Sequence, residues 1–239
     1  MEIIDIESNP TENSSSSEFN KPLLEEGDYD KINVMICTPC YGGKMDQATV
    51  SGMIGTAVTA LSSGIKIDFR FLSNDSLITR ARNNLVAQFL ASDEHTHLFF
   101  LDADIQFNPT SLLRLCLSDR MVAVGAYPTK SIPPRYVIDF KEDASVDDNK
   151  FIEVERAGTG FMCIKRECLE MMKDSFPELK YKSELETKGY SDDAVAALGE
   201  ELIEKIKPNT YSFFDTSRNK LIMYLLFSLG TFSGTLLSK

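Results

Sequence analysis

Between residues 31 and 128 the chain alternates short apolar runs with longer stretches in which apolar residues return every three or four positions. The first pattern is that of buried strands and the second that of amphipathic helices. "KINVMICTP" predicts a buried strand that Pro39 and the turn Tyr41-Gly42-Gly43 bring to an end. "DQATVSGMIGTAVTALSSG" has helical spacing and a terminal Gly64. "IKIDFRFLS" alternates apolar and polar residues as a strand does. "SLITRARNNLVAQFLAS" predicts a helix, "THLFFLDAD" a strand, and "NPTSLLRLCLS" a short helix with Pro109 in its first turn. "RMVAVGAYP" predicts another buried strand. An order of βαβαβαβ implies an α/β fold with a mostly parallel central sheet and helices on both faces. Ligands of such sheets bind beyond the carboxyl ends of the strands. Cys37 to Gly43 and Asp102 to Asp104 both lie at such ends.

After Lys130 the pattern becomes β-rich. "PPRYVIDF", "KFIEVERAG" and "TGFMCIKRE" predict β segments, and "CLEMMKDSF" a short helix. "SDDAVAALGEELIEKI" predicts an amphipathic helix capped by Ser191, and "YSFFDTS" a strand. No internal repeat is present.

The two ends differ from the middle. Residues 1–30 are acidic and Ser-rich, which predicts a disordered tail without a signal peptide. Residues 31–217 are expected to form a single domain. Residues 218–239 hold the uncharged run "LIMYLLFSLGTFSGTLL", flanked by Arg218, Lys220 and Lys239. That run is at or just under the ~18–20 residues of a membrane span, so buried core structure is the favoured expectation and membrane contact the alternative.

Composition narrows the function classes. A net charge of −11 argues against a nucleic-acid partner. Five cysteines in 239 residues do not form a secreted disulfide pattern, and a reducing, cytoplasmic compartment is expected, membrane-associated if the tail is an anchor.

The chemistry concentrates at a few places. In "HLFFLDADIQFNP" an apolar run ends in Asp102 and Asp104, which share a side of an extended chain and repel unless a cation sits near them. Two hard oxygen ligands at a strand end suit Mn²⁺ or Mg²⁺ with phosphate oxygens, whereas solvated acids before a helix are the plain reading. On the preceding helix Ile78, Ala81, Leu85 and Phe89 form an apolar stripe that contains Arg82, with Arg80 opposite. A guanidinium on that stripe requires a carboxylate or a phosphate. Gly158 and Gly160 flank Thr159 before an apolar strand, a β-turn or a place where backbone approaches a ligand. Cys37 and Cys40 form a C-x-x-C, and a redox or zinc protein, with Cys163 and Cys168 as further ligands, is a rival reading. His95 and His97 are read as structural.

Taken in order, "VMICTPCYGG", "SLITRARNNLVAQFL", "HLFFLDADIQFNP" and "GTGFMCIKRE" resemble glycosyltransferases of the GT-A (nucleotide-diphospho-sugar transferase) fold. The likeness is to viral and microbial enzymes of this kind and, more loosely, to the fungal Golgi mannosyltransferase group. It covers about Ile32 to Asp215. It implies a metal-dependent glycosyltransferase with a nucleotide-sugar donor and a smaller β-rich acceptor part. By that resemblance Thr38, Pro39 and Tyr41 hold the nucleoside. Asp102, Ala103 and Asp104 form the D-x-D motif, whose two carboxylates hold Mn²⁺ or Mg²⁺ and the diphosphate. Arg82 and Arg80 approach the diphosphate, and Gly158, Thr159, Gly160 and Phe161 line the sugar or acceptor pocket. The acceptor, a glycan, protein or lipid, is not indicated. Relatives continue past a "FFDTS"-like strand into an acidic segment that supplies the base in inverting members. Here Asp215 is the last acid, and it is the expected base. A relative that binds the donor without transferring it is the alternative.

Overall fold

The computed structural model describes residues 29–73, 75–182, 195–196, 198–214 and 233–236. The N-terminal polar tail up to residue 28, Ser191, Asp215 and most of the apolar tail lie outside them.

The apolar runs become the centre of one eight-stranded sheet. Its strands are β1 (Asn33–Cys40), β2 (Lys66–Ser73), β3 (His97–Leu101), β4 (Val122–Ala126), β5 (Ile138–Phe140), β6 (Ile152–Ala157), β7 (Phe161–Lys165) and β8 (Ser233–Leu236). Their order is β2-β1-β3-β7-β4-β8-β6-β5. β1 pairs in parallel with β2 and β3, while β7 runs antiparallel between β3 and β4. β8 lies parallel to β4, and β6 and β5 complete the far edge in antiparallel pairs. The helices are α1 (Gln47–Ser63), α2 (Ile78–Ala91), α3 (Pro109–Cys116), α4 (Arg166–Ser175) and α5 (Glu200–Ile206).

Alternation along β3 divides the core. Leu98 and Phe100 pack with Leu85, Val86 and Phe89 of α2 and with Leu169 and Met172 of α4. Phe99 and Leu101 pack on the other face with Met53 of α1 and Leu112 of α3. α5 covers α2 through Ile206 against Ala87 and Ala91. The C-terminal end of α2 is held by Arg166, whose Nη2 donates to the Phe89 carbonyl at 3.0 Å and whose Nε donates to the His95 carbonyl at 2.7 Å. A cation at that end also suits the helix dipole.

Three expectations change. The described part of "YSFFDTS", residues 211–214, is no strand: Tyr211 makes one isolated bridge, and Phe213 and Phe214 lie in a turn. Both phenylalanines are buried in the same cluster on the α2 face, which strand alternation forbids. The helix expected over 191–206 is interrupted at Gly199, whose φ of 77° breaks it, and α5 starts at Glu200. Ile78, expected on the buried stripe, is 45% exposed at the first turn of α2. Within the apolar tail, residues 233–236 form β8 inside the sheet. Among the described residues no helix is long and apolar enough to cross a membrane.

His95 and His97 are both buried at the start of β3. Burial, reinforced by Lys165 and opposed by Asp119, lowers His97 from an ordinary 6.5 to about 4. The folded protein therefore refuses a proton that the unfolded chain accepts. Stability is full above about pH 6.5 and falls as the pH drops toward 4. The loss attributable to His97 is on the order of 3 kcal/mol. Urea unfolding across this range is expected to show the fall, and His97→Gln is expected to flatten it.

Candidate functional site

The carboxyl ends of β1, β3 and β4 meet the turn that precedes β7. Asp102 continues the alternation of Leu98 and Phe100, so its side chain falls on the α2 face. There Arg82 Nη2 donates to Asp102 Oδ1 at 2.7 Å. The Arg82 side chain is 9% exposed and that of Asp102 is 29% exposed. The guanidinium also lies 5.8 Å from the Phe100 ring centroid. Its Nε is buried without a partner. Helical periodicity thus placed Arg82 correctly, and its counter-charge is the first carboxylate of the D-x-D.

Asp102 is fixed through its backbone as well. Its N–H donates to the Gly160 carbonyl at 2.8 Å, and the Gly160 N–H donates to Tyr127 Oη at 3.1 Å. A Cβ on Gly160 would stand 2.5 Å from Asp102 Oδ2 and 2.7 Å from Tyr127 Oη. On Gly158 it would stand 2.4 Å from Tyr127 Oη. The two glycines therefore make room for a phenol and a carboxylate against bare backbone. Burial, and then the nearby Asp102 charge, push the Tyr127 hydroxyl above its usual pKa. Tyr127 was not singled out in the sequence. Its only signal there is its position in "VAVGAYPTK", at the carboxyl end of β4.

Asp104 behaves differently. The chain turns at Ala103 and Asp104, so the carboxylates do not share the side an extended chain would give them. Asp104 Oδ2 instead accepts from Lys130 Nζ at 2.8 Å, with both side chains exposed. That contact raises the Lys130 pKa. The repulsion expected between the acids is met by two separate cations, Arg82 below and Lys130 above. Ala103 anchors the loop: its carbonyl accepts from the Asp46 N–H at 2.8 Å and from Thr49 Oγ1 at 3.1 Å. Thr49 Oγ1 also lies 2.9 Å from the Ile105 carbonyl. The N-terminus of α1 therefore grips the loop from the opposite face.

The remaining expected residues divide. Tyr41 is 78% exposed on a 3-10 turn, Tyr41–Gly43, in which Gly42 and Gly43 both have φ of 67°. Thr38 and Pro39 are buried, and Thr38 Oγ1 has no partner. Of the three residues expected at the nucleoside, only Tyr41 has an exposed side chain. Arg80 is held by Asp75 through Nε and Nη2. Thr159 is half-buried beside the glycines. Phe161 is fully buried, 4.9 Å from the Phe99 ring and 5.2 Å from the Phe107 ring. Its side chain belongs to the core, not to a pocket wall.

The thiol rival loses its geometry. Cys37 and Cys40 both lie in β1, three positions apart, and so project to opposite faces of the sheet. All five thiols are free and buried. Burial pushes Cys37 and Cys40 up, and Cys168 up to about 12, the opposite of an activated thiolate. Cys163 lies 3.7 Å from Cys116 on one face, and Cys168 packs on the other. Among the described residues no three His, Cys, Asp or Glu side chains converge on a metal position. Asp102 and Asp104 are oxygen donors of the type a hard divalent cation takes, and in this structure each is paired with a separate cation, Arg82 and Lys130.

No protein-family model and no curated protein matches the chain. Among solved structures, the crystal structure of A197 from STIV is 23% identical, with a TM-score of 0.42 over 58% of this chain and 68% of that one. The 4-diphosphocytidyl-2C-methyl-D-erythritol synthase from Anaerococcus prevotii DSM 20548 is 7% identical, with a TM-score of 0.36 over 74% of this chain and 97% of that one.

Gly160→Ala tests the packing of the site. The new methyl must displace both Asp102 and Tyr127, and a loss of about 1–3 kcal/mol is expected from overpacking. Urea unfolding measures it. A neutral result would show that the phenol and the carboxylate move aside freely.

Proposed function

We propose that this chain is a metal-dependent glycosyltransferase that takes its sugar from a nucleotide-sugar donor. The observation that supports the reading most directly is the pair of carboxylates at the end of β3, one locked to Arg82 and the other exposed beside Lys130. Such an edge combines a rigid anionic ligand with one that can exchange its counter-ion. The resemblance of the ordered motifs to GT-A enzymes supports the same reading.

Each residue then has a physical task. Asp102 and Asp104 would hold Mn²⁺ or Mg²⁺, which when bound offsets charge on the donor diphosphate and on the leaving nucleotide. Arg82 keeps Asp102 oriented, and its guanidinium would bring positive charge close to the donor phosphates. Lys130 neutralises Asp104 in the free protein and is long enough to turn to a phosphate oxygen when the carboxylate is otherwise engaged. Tyr41 offers an exposed ring on which a nucleobase can stack. Tyr127 holds the Gly160 backbone, which in turn holds Asp102. Departure of the diphosphate and attack by an acceptor hydroxyl also require a group that takes the hydroxyl proton in an inverting reaction. Asp215 is the proposed base, and it lies outside the described residues. The acceptor is proposed to be a glycan, protein or lipid carrying that hydroxyl.

Calorimetry with nucleoside diphosphates, with and without Mn²⁺, tests the donor site. Asp104→Ala is expected to lose most of the metal-dependent affinity, about tenfold or more, and to melt like the parent. Arg82→Leu is expected to weaken binding and also to lower the melting temperature, because it strands Asp102. Metal-independent binding that survives Asp104→Ala unchanged would overturn the proposal. Incubation with a panel of nucleotide sugars then separates transfer from binding alone.

A further inference from the structure

Away from the site, α1 and β2 carry a surface that the proposed reaction does not use. α1 contains no charged residue in its 17 positions, in a chain of which 26% is charged. Thr49, Gly52, Met53, Thr56 and Ala60 face inward. Val50, Ile54, Val58 and Leu61 are 39%, 62%, 62% and 83% exposed. At about 100° per residue these four fall in one stripe. Gly52 and Gly55 face Phe107 and Pro109 on the α3 side. The stripe therefore points between the outward direction and the opposite flank, where β2 lies.

β2 is the edge of the sheet and, among the described residues, pairs only with β1. Ile67 and Phe69 pack on the α1 side of the sheet, and the Phe69 and Phe71 rings stack with centroids 6.3 Å apart. Phe71 is 55% exposed. Lys66, Asp68 and Arg70 alternate onto the other face. An eight-residue edge with an apolar side is a template for another strand.

We propose that this face is an interface with a second copy of this chain, formed by antiparallel β2–β2 pairing about a two-fold axis at Phe69. The argument for the occupant is self-complementarity. In that register Asp68 stands opposite Arg70 of the partner subunit, twice by symmetry, and Ile67 opposite Phe71 of the partner subunit. Centring the pairing on Asp68 or on Arg70 would set each against its own copy, like charge against like charge. The two α1 stripes then flank one continuous apolar surface, as an isologous contact requires. The described part of the apolar stretch after Phe214, β8, lies elsewhere in the sheet. The Phe214 N–H donates to Asn83 of α2 on the opposite face, and β8 lies five strand positions from β2.

Sedimentation equilibrium of the full chain over a wide concentration range tests the proposal. A reversible dimer is expected. Phe71→Lys and Ile54→Lys, both at exposed positions and so able to fold, are expected to give monomer. Arg70→Glu is expected to raise the dimer dissociation constant by about tenfold, since it places acid opposite acid twice. Asp68→Lys combined with Arg70→Glu reverses both charges and is expected to restore the dimer. Hydrogen exchange provides a reading without substitution: the outer amides of β2 are expected to gain protection as concentration rises. A wild-type monomer overturns the proposal, including one that uses this face to bind lipid vesicles. So does a dimer that withstands Phe71→Lys and Ile54→Lys, or an Arg70→Glu defect that the reversed pair does not rescue.

Discussion

The site depends on one ion pair made where charge is expensive. Arg82 points from α2 into the core side of the sheet, and Asp102 leaves the end of β3 to meet it. Neither position tolerates the loss of the other. Removing one member of a buried pair costs about 3–5 kcal/mol, because the survivor keeps its desolvation penalty. Asp102 retains some water contact, so the cost here lies toward the lower end. The pair therefore does more than stabilise. It sets the rotation of α2, since only one stripe of that helix can present the guanidinium. It also sets the direction in which the chain leaves β3.

Given that direction, the rest of the edge follows from packing and backbone hydrogen bonding. The loop after β3 is held from the α1 side by the Asp46 N–H and Thr49, and from the β7 side by Gly160. Tyr127 fills the space that the missing side chains of Gly158 and Gly160 leave. Two faces of the sheet thus converge on residues 102–105. Preorganisation of this kind is what a site that stabilises a developing charge needs, since its dipoles and ligands need not reorganise during the reaction.

Much of this was legible locally, and the failures have a common cause. Strand and helix periodicity placed β1 to β4 and α1 to α3, because each buries a face that the sequence marks by repetition. Arg82 was found the same way, as a charge on the wrong stripe. What local pattern could not show was the insertion of β7 between β3 and β4, a pairing of residues far apart in sequence. Tyr127 and Lys130 escaped for that reason: each matters only because β7 and the D-x-D turn are brought beside β4. Phe161 looked like part of a glycine-rich pocket segment, yet alternation from Gly160 turns it inward against Phe99. Phe213 and Phe214 read as a strand because two adjacent aromatics raise β propensity. Core packing overrode that propensity by burying both on one side.

The two acids of the D-x-D are unequal, and the inequality bears on the chemistry. A cation that must come and go with substrate cannot rely on a carboxylate that a core charge needs at all times. Asp102 is committed to Arg82, but the Arg82 bond engages only Oδ1. Asp104 carries no such commitment. Its partner Lys130 is exposed, and an exposed, solvent-screened ion pair is weak, so in the proposed reaction a divalent ion or a phosphate would displace it at little cost. In the proposed reaction one carboxylate would supply position and the other exchange. The exposed pair also keeps Asp104 compensated when no ligand is present. A rigid anion and an exchangeable ion pair side by side suit the proposed cycle, in which a charged donor would bind and a charged product would leave.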